Sequence, residues 1–101
     1  MRSRFEWDPA KAAANERKHG ITFDLALRVF ADPFLLMIQD RVEDGEQRWQ
    51  TLGSASGYVL LLVVHTLRET VEDGEDMEVI RIISARKADR SERRRYEEEP
   101  R

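Results

Sequence analysis

The chain has 101 residues, 17 Lys/Arg against 20 Asp/Glu, a formal net charge of -3 and a pI near 5.4. That length suits one domain with a single modest core and leaves nothing for a second. The absence of cysteine excludes disulfides and thiolate metal sites and fits a reducing cytosol. The start of the chain carries no apolar signal region, and the longest apolar run, Tyr58–Val64, falls far short of the ~20 residues that a bilayer span needs. A cytoplasmic protein with no membrane role is expected.

Taken in chain order, Asp8-Pro9 reads as a helix start and Lys18-His19-Gly20 as its stop, which places an Ala-rich helix over 9–19. Thr22 can cap a second helix, in which Phe23, Ala26, Leu27 and Phe30 form one apolar stripe until Asp32-Pro33 ends it. Strand signals follow over Phe34–Gln39, Arg48–Leu52, Tyr58–Thr66 and Met77–Ser84. They are separated by an Asp44-Gly45 turn, a Gly53–Gly57 turn and a segment, 69–78, with six acids and no base. Asp89 with Glu92 resembles a capping box opening a short basic helix that runs to Tyr96. The fold expected is α+β: two N-terminal helices, a four-stranded antiparallel sheet and a short C-terminal helix in a single domain, 1–101, with 69–78 a solvated acidic loop and 97–101 an acidic tail.

Charge is distributed unevenly. Residues 81–95 hold seven Arg/Lys against Asp89 and Glu92, an island of +5 on an acidic chain and the natural place for a polyanion. The final helix has almost no apolar face beyond Ala88 and Tyr96, so Tyr96 and arginine stems, or a partner, must hold it down.

Several segments together resemble BrnT-type toxins: Phe5-Glu-Trp-Asp-Pro-Ala-Lys11, Asn15-Glu-Arg-Lys-His-Gly20, Val29-Phe-Ala-Asp-Pro33, Arg48-Trp-Gln-Thr-Leu-Gly53, Val63-Val-His-Thr66, and Arg81-Ile-Ile-Ser-Ala-Arg-Lys-Ala88 with Glu92-Arg93 and Tyr96. The resemblance covers roughly residues 4–97. It implies a RelE-like fold and the toxin of a type II toxin–antitoxin pair. It further implies a metal-independent ribonuclease that blocks translation and is neutralised by a BrnA-type antitoxin with a ribbon-helix-helix domain, so that promoter DNA is reached only through the antitoxin. The competing reading is a non-catalytic, antitoxin-binding corepressor module.

Metal-free RNA cleavage needs cations on the phosphorane oxygens and profits from a base and an acid. Arg86 and Arg81 are the first candidates for charge stabilisation, since arginine stays protonated. Five residues apart, they fall on opposite faces of a regular strand and share a cleft only if the chain bends near Ser84–Ala85. Either arginine could instead pair with a carboxylate such as Glu46 or Glu69. His65, at the end of the long strand, suits acid–base work or else is a half-buried histidine with a backbone partner. Arg68 and Glu69 follow on the same strand, Glu69 as a possible base. Arg48, Lys87, Arg90, Arg93, Arg94 and Tyr96 complete the expected RNA contacts, Tyr96 by stacking or by packing. His19 reads as a helix cap, and Trp7 and Trp49 as core or partner surface. No metal-ligand spacing, glycine-rich phosphate loop or Ser-His-Asp arrangement is visible, so no cofactor is expected.

Overall fold

The computed structural model describes residues 2–100. Its elements are β1 (Arg2–Glu6), α1 (Pro9–His19), α2 (Phe23–Ala26) continued by a 3₁₀ turn (Leu27–Ala31), β2 (Leu36–Glu43), β3 (Glu46–Ala55), β4 (Val59–Glu72), β5 (Glu75–Lys87) and α3 (Arg90–Glu98). They build one five-stranded sheet in the order β1-β5-β4-β3-β2. β2 to β5 pair antiparallel, and β1 joins β5 in parallel.

The class is α+β, but the sheet is mixed and five-stranded rather than four-stranded and antiparallel. The additional strand is Arg2–Glu6, too short and too charged to stand out as a strand. Its arginines explain a second correction. The acidic segment 69–78 is no loop: β4 and β5 run through it and turn only at Asp73-Gly74. Both turn residues have positive φ, 53° and 76°, as a two-residue hairpin of this hand requires. Glu72 receives a forked contact from Arg4, with Nε and Nη2 at 2.9 and 2.7 Å, and Glu75 pairs with Arg2 at 2.9 Å. The acids therefore help fasten β1 to the hairpin. In the tail, α3 extends to Glu98, and Arg101 lies outside the described residues.

Local signals set the helices. The Asp8 carboxylate accepts from the amide of Ala10, Pro9 opens α1, and Gly20 closes it with φ 71°. The second helix begins as expected, with the Thr22 hydroxyl accepting from the amide of Leu25. After a single α turn it tightens to 3₁₀. The threefold repeat puts Phe23, Ala26 and Val29 at the bottom of the core, with Leu27 and Phe30 only partly covered. Val29 sits so close to β3 that a Cβ on Gly53 would meet its Cβ and carbonyl oxygen at 3.1 Å. A glycine is needed there for the approach of the 3₁₀ turn to the sheet.

α1 is held by a polar residue. Asn15 is buried, donates to the carbonyls of Ile21 and Ala85 at 3.0 and 2.9 Å, and accepts from the amide of Ala85 at 3.0 Å. β1 stops opposite Arg81, so the edge of β5 beyond it has no strand neighbour, and the Asn15 amide satisfies that backbone instead. Asn15→Ala leaves an N–H and a carbonyl of Ala85 without this partner and is expected to destabilise the fold by about 3 kcal/mol. Urea unfolding measures this. A loss under about 1 kcal/mol contradicts the assigned role.

Candidate functional site

The sheet has two unlike sides. On one, Leu61, Val63, Ile82 and Ala85 pack with Ile21, Phe23, Ala26 and Val29 from the helical segment. On the other, Leu52, Leu60 and Leu62 form a small cluster covered by Leu36, Ala88 and Tyr96, which leaves the rest of that side open apart from its own charged side chains, among which Thr66 and Val79 are buried.

A bulge in β5 decides which residues share the open side. Val64 pairs with Ser84 but His65 pairs with Ile82, so Ile83 is an extra residue in the ladder. It restores the parity that a spacing of five breaks. Arg81 stands beside Thr66 and Arg86 beside Leu62, even-numbered positions of the uninterrupted β4, so both arginines project from the open side. The required departure from a regular strand occurs at Ile83, just before Ser84–Ala85. Arg48 joins them: it precedes Trp49, the partner of His65, and so stands next to Thr66. Arg48, Thr66, Arg81 and Glu6 form one row across four strands.

Most cations on this side already hold a carboxylate. Arg81 reaches across β4 to the Glu46 carboxylate, the pairing left open by the sequence. Arg68 binds Glu6 at 3.0 Å, and Arg4 joins Glu6 to Glu72. Hydrogen bonds from Arg68 and Arg4 hold Glu6 below the usual carboxylate range against the opposing effect of burial, and that from Arg4 does the same for Glu72. Arg86 grips Glu92 with both Nη atoms, at 2.8 and 2.9 Å, and also donates to the carbonyl of Lys87. This pair raises the Arg86 pKa and lowers that of Glu92. Glu92 also closes the capping box of α3 with Asp89, so Arg86 anchors the last helix. Arg48 differs. Its Nε is buried and has no hydrogen-bond partner, and among the described residues no ion pair reaches it.

Other candidates lie elsewhere. His65 does not face a cleft; it is fully buried on the helix side. Its Nδ1 lies 3.3 Å from the Thr66 carbonyl, its Nε2 2.6 Å from the Thr51 hydroxyl, and its ring edge-on to Phe30 at 4.9 Å. A carbonyl only accepts, so Nδ1 carries the proton and Nε2 accepts a hydrogen bond from the Thr51 hydroxyl. Burial lowers its pKa to about 4, partly offset by the Thr66 carbonyl. Glu69 and Lys87 pair with Glu78 and Leu61 and take the helix-side parity of β4, away from Arg81 and Arg86. Arg90, Arg93 and Arg94 are exposed on α3. The Tyr96 hydroxyl donates to Asp32 Oδ2 at 2.5 Å while its ring covers the leucine cluster; the same carboxylate oxygen accepts from the amide of Ser54 at 2.7 Å. Asp32 thus ties the 3₁₀ turn, β3 and α3 together. Asn15 and Glu6 carry no expected role in the sequence, and Asp32 only that of ending the second helix, because each acts through a partner distant along the chain.

Among the described residues no group of three or more His, Cys, Asp or Glu is placed to hold a metal ion, and no helix is long and apolar enough to cross a membrane.

The fold and this face define a small α+β protein with α1 and α2 over one side of a sheet and, on the other, an arginine-bearing surface flanked by α3. The sequence profile described as "Ribonuclease toxin, BrnT, of type II toxin-antitoxin system" matches residues 7–92, and the chain belongs to that family. It is a toxin of the type II class, and membership brings an antitoxin as partner. Among solved structures, it is similar to the 1.1 Å crystal structure of the Brucella abortus ribonuclease toxin BrnT, with a TM-score of 0.58 and 23% identity over 89% of this chain and 100% of that one. A search of curated proteins found no match.

The state of His65 is open to measurement. The folded imidazole stays neutral to about pH 4, whereas an unfolded one takes a proton near pH ~6.5. Between these values the unfolded chain binds more protons, so stability falls as the pH drops, by about 3 kcal/mol over the whole window. NMR of the chain's two imidazoles is expected to show one that does not titrate between pH 7 and 5. Two imidazoles titrating above pH 6 in the folded protein contradict the buried placement.

Proposed function

We propose that this chain is a metal-independent endoribonuclease that arrests translation by cleaving RNA in the cytoplasm. The observation that carries the reading is the placement of Arg48, Arg81 and Arg86 on one side of the sheet, Arg48 and Arg81 in one row beside Thr66 and Arg86 further along β5 beside Leu62. A phosphate has no sequence identity of its own, but it demands several donors in fixed array, and rigid strands hold guanidiniums better than loops do. Arg48 supports the reading most directly: a buried guanidinium nitrogen without a partner is unfavourable, and a side-chain shift that admits a phosphate oxygen would satisfy it.

In this reading the 2′-hydroxyl attacks the adjacent phosphorus while the arginines stabilise the added charge on the non-bridging oxygens. Arg81 and Arg86 exchange carboxylates for phosphate as the substrate binds. Arg68 lies on the same side beside Glu6 and strengthens the local field. Arg90, Arg93 and Arg94 draw in the strand from α3, a role that salt weakens. Tyr96 contributes by holding α3 in place. Lys87 guides RNA from the rim. The antitoxin is a BrnA-type protein with a ribbon-helix-helix domain, and it blocks the toxin by covering the Arg81–Tyr96 segment; promoter DNA is contacted only through it.

One observation favours a second reading. Arg81, Arg68 and Arg86 are already neutralised, as expected of a corepressor module whose charges serve the fold.

The purified protein is expected to cleave RNA in EDTA, to leave 2′,3′-cyclic phosphate ends and to spare 2′-deoxy substrates. A requirement for added metal, or cleavage of the deoxy substrate, contradicts the mechanism. Arg86→Lys is expected to lower the rate by about 10²–10³-fold, because lysine cannot reproduce the fork, whereas Arg90→Ala costs far less. Glu92→Gln separates catalysis from anchoring. If Glu92→Gln reproduces the full loss of Arg86→Lys, Arg86 acts only by holding α3.

A further inference from the structure

We infer that Glu46 is the general base of the cleavage proposed above; the inference rests on that reading. The chemistry calls for a group that removes the 2′-hydroxyl proton beside the arginines that hold the phosphate. The structure leaves few candidates. His65 is enclosed by Thr51, Thr66 and Phe30 and faces away from the open side. Glu69 projects from the opposite side of the sheet. On the open side, Glu6 is shared between Arg4 and Arg68, Glu72 is held in a fork by Arg4, and Glu92 is locked by both Nη atoms of Arg86 and by the capping box. Asp40 accepts from the side chain of Gln50.

Glu46 stands apart from these. It opens β3 two residues before Arg48, on the same side of the strand, and has one cationic partner, Arg81. Its side chain is 41% exposed and that of Arg81 38%. A phosphate that takes over the Arg81 guanidinium releases the Glu46 carboxylate next to the bound nucleotide. Arg48 and Arg81 then hold the phosphate while Glu46 faces the sugar. The charged groups around it are Arg48 on β3, Arg68 on β4, Arg81 on β5, Glu6 beyond Arg81 on β1, and Glu43, directly opposite on β2.

The step balances without any further reagent than water. The Glu46 carboxylate takes the 2′-hydroxyl proton, and the freed electron pair forms the bond from O2′ to phosphorus. The bond from phosphorus to O5′ breaks, its electron pair leaves with O5′, and O5′ takes a proton from water. The products are a 2′,3′-cyclic phosphate and a 5′-hydroxyl, and the hydroxide left by that water takes the proton from Glu46 and restores its carboxylate form.

The test compares wild type, Glu46→Gln and Glu43→Gln with a short oligoribonucleotide, measuring kcat and KM separately. Glutamine keeps an oxygen acceptor for Arg81, so the sheet persists, which circular dichroism checks. Glu46→Gln is expected to lower kcat by at least tenfold, on the order of 10²–10⁴ for a lost base, with KM unchanged or lower because Arg81 is unmasked. Glu43→Gln removes the same charge next door and is expected to keep kcat within about threefold. A Glu46→Gln enzyme with kcat less than tenfold below wild type overturns the assignment and makes Glu46 a counter-ion that masks Arg81. An equal fall in kcat for Glu43→Gln also overturns it, since charge alone then explains the loss. A wild-type protein that cleaves no RNA in this assay overturns the ribonuclease reading itself, so the two failures are distinguishable.

Discussion

β5 must serve two chemically opposed surfaces, and a strict two-residue period does not permit both. Ile82 and Ala85 both lie under the helices, an odd separation that a regular strand forbids. Arg81 and Arg86 both lie on the other side, again at an odd separation. The extra residue Ile83 resolves both conflicts at once. Removing it by a register slip would turn either an arginine into the apolar core or Ala85 out of it. The core, the Asn15 clasp on Ala85 and the arginine face therefore depend on one local irregularity.

Charge balance follows the same geometry. The chain is acidic overall, yet its acids are not spread as a repulsive coat. Glu72 and Glu75 hold β1 through Arg4 and Arg2, Glu6 holds Arg68, Glu92 holds Arg86, and Glu46 holds Arg81. These pairs are half-exposed, and each adds little to stability. Under the proposed function their larger effect would be on binding, since an incoming polyanion would have to displace a carboxylate at Arg81 and Arg86 but none at Arg48. A face of that kind would favour ligands that offer several phosphate oxygens in the right array over a single anion.

Much of the architecture was legible where the signal is local. Asp8-Pro9 and Gly20 bound α1, Thr22 starts α2, Asp44-Gly45 turns a hairpin, and Asp89 with Glu92 caps α3. The family was legible too, from segments spread over the chain. What escaped is non-local. Arg2–Glu6 becomes a strand only because β5 offers it an edge. Asp73-Gly74 carries the same turn signal as Asp44-Gly45, but the acids around it suggested solvent, since their partners are some seventy residues away in the chain. The place of His65 at a strand end suggests a catalytic group, while its burial comes from packing against Phe30 and Thr51, which are distant along the chain. The joint placement of Arg81 and Arg86 needed a bulge that no residue type announces. Arg48 gained weight only when its neighbours across the sheet were known.

The central claim is that nucleic acid meets the open face at Arg48, Arg81 and Arg86, and not the helix side. The most direct measurement follows the arginine Nε–Hε signals of the protein by NMR as a 2′-O-methyl oligoribonucleotide, which cannot be cleaved, is added at moderate salt. The account predicts the largest shifts at Arg48, Arg81 and Arg86, with the imidazole of His65 and the amides of α1 unmoved. Shifts concentrated on α1, or confined to the exposed arginines of α3 while Arg48 stays unchanged, would contradict it.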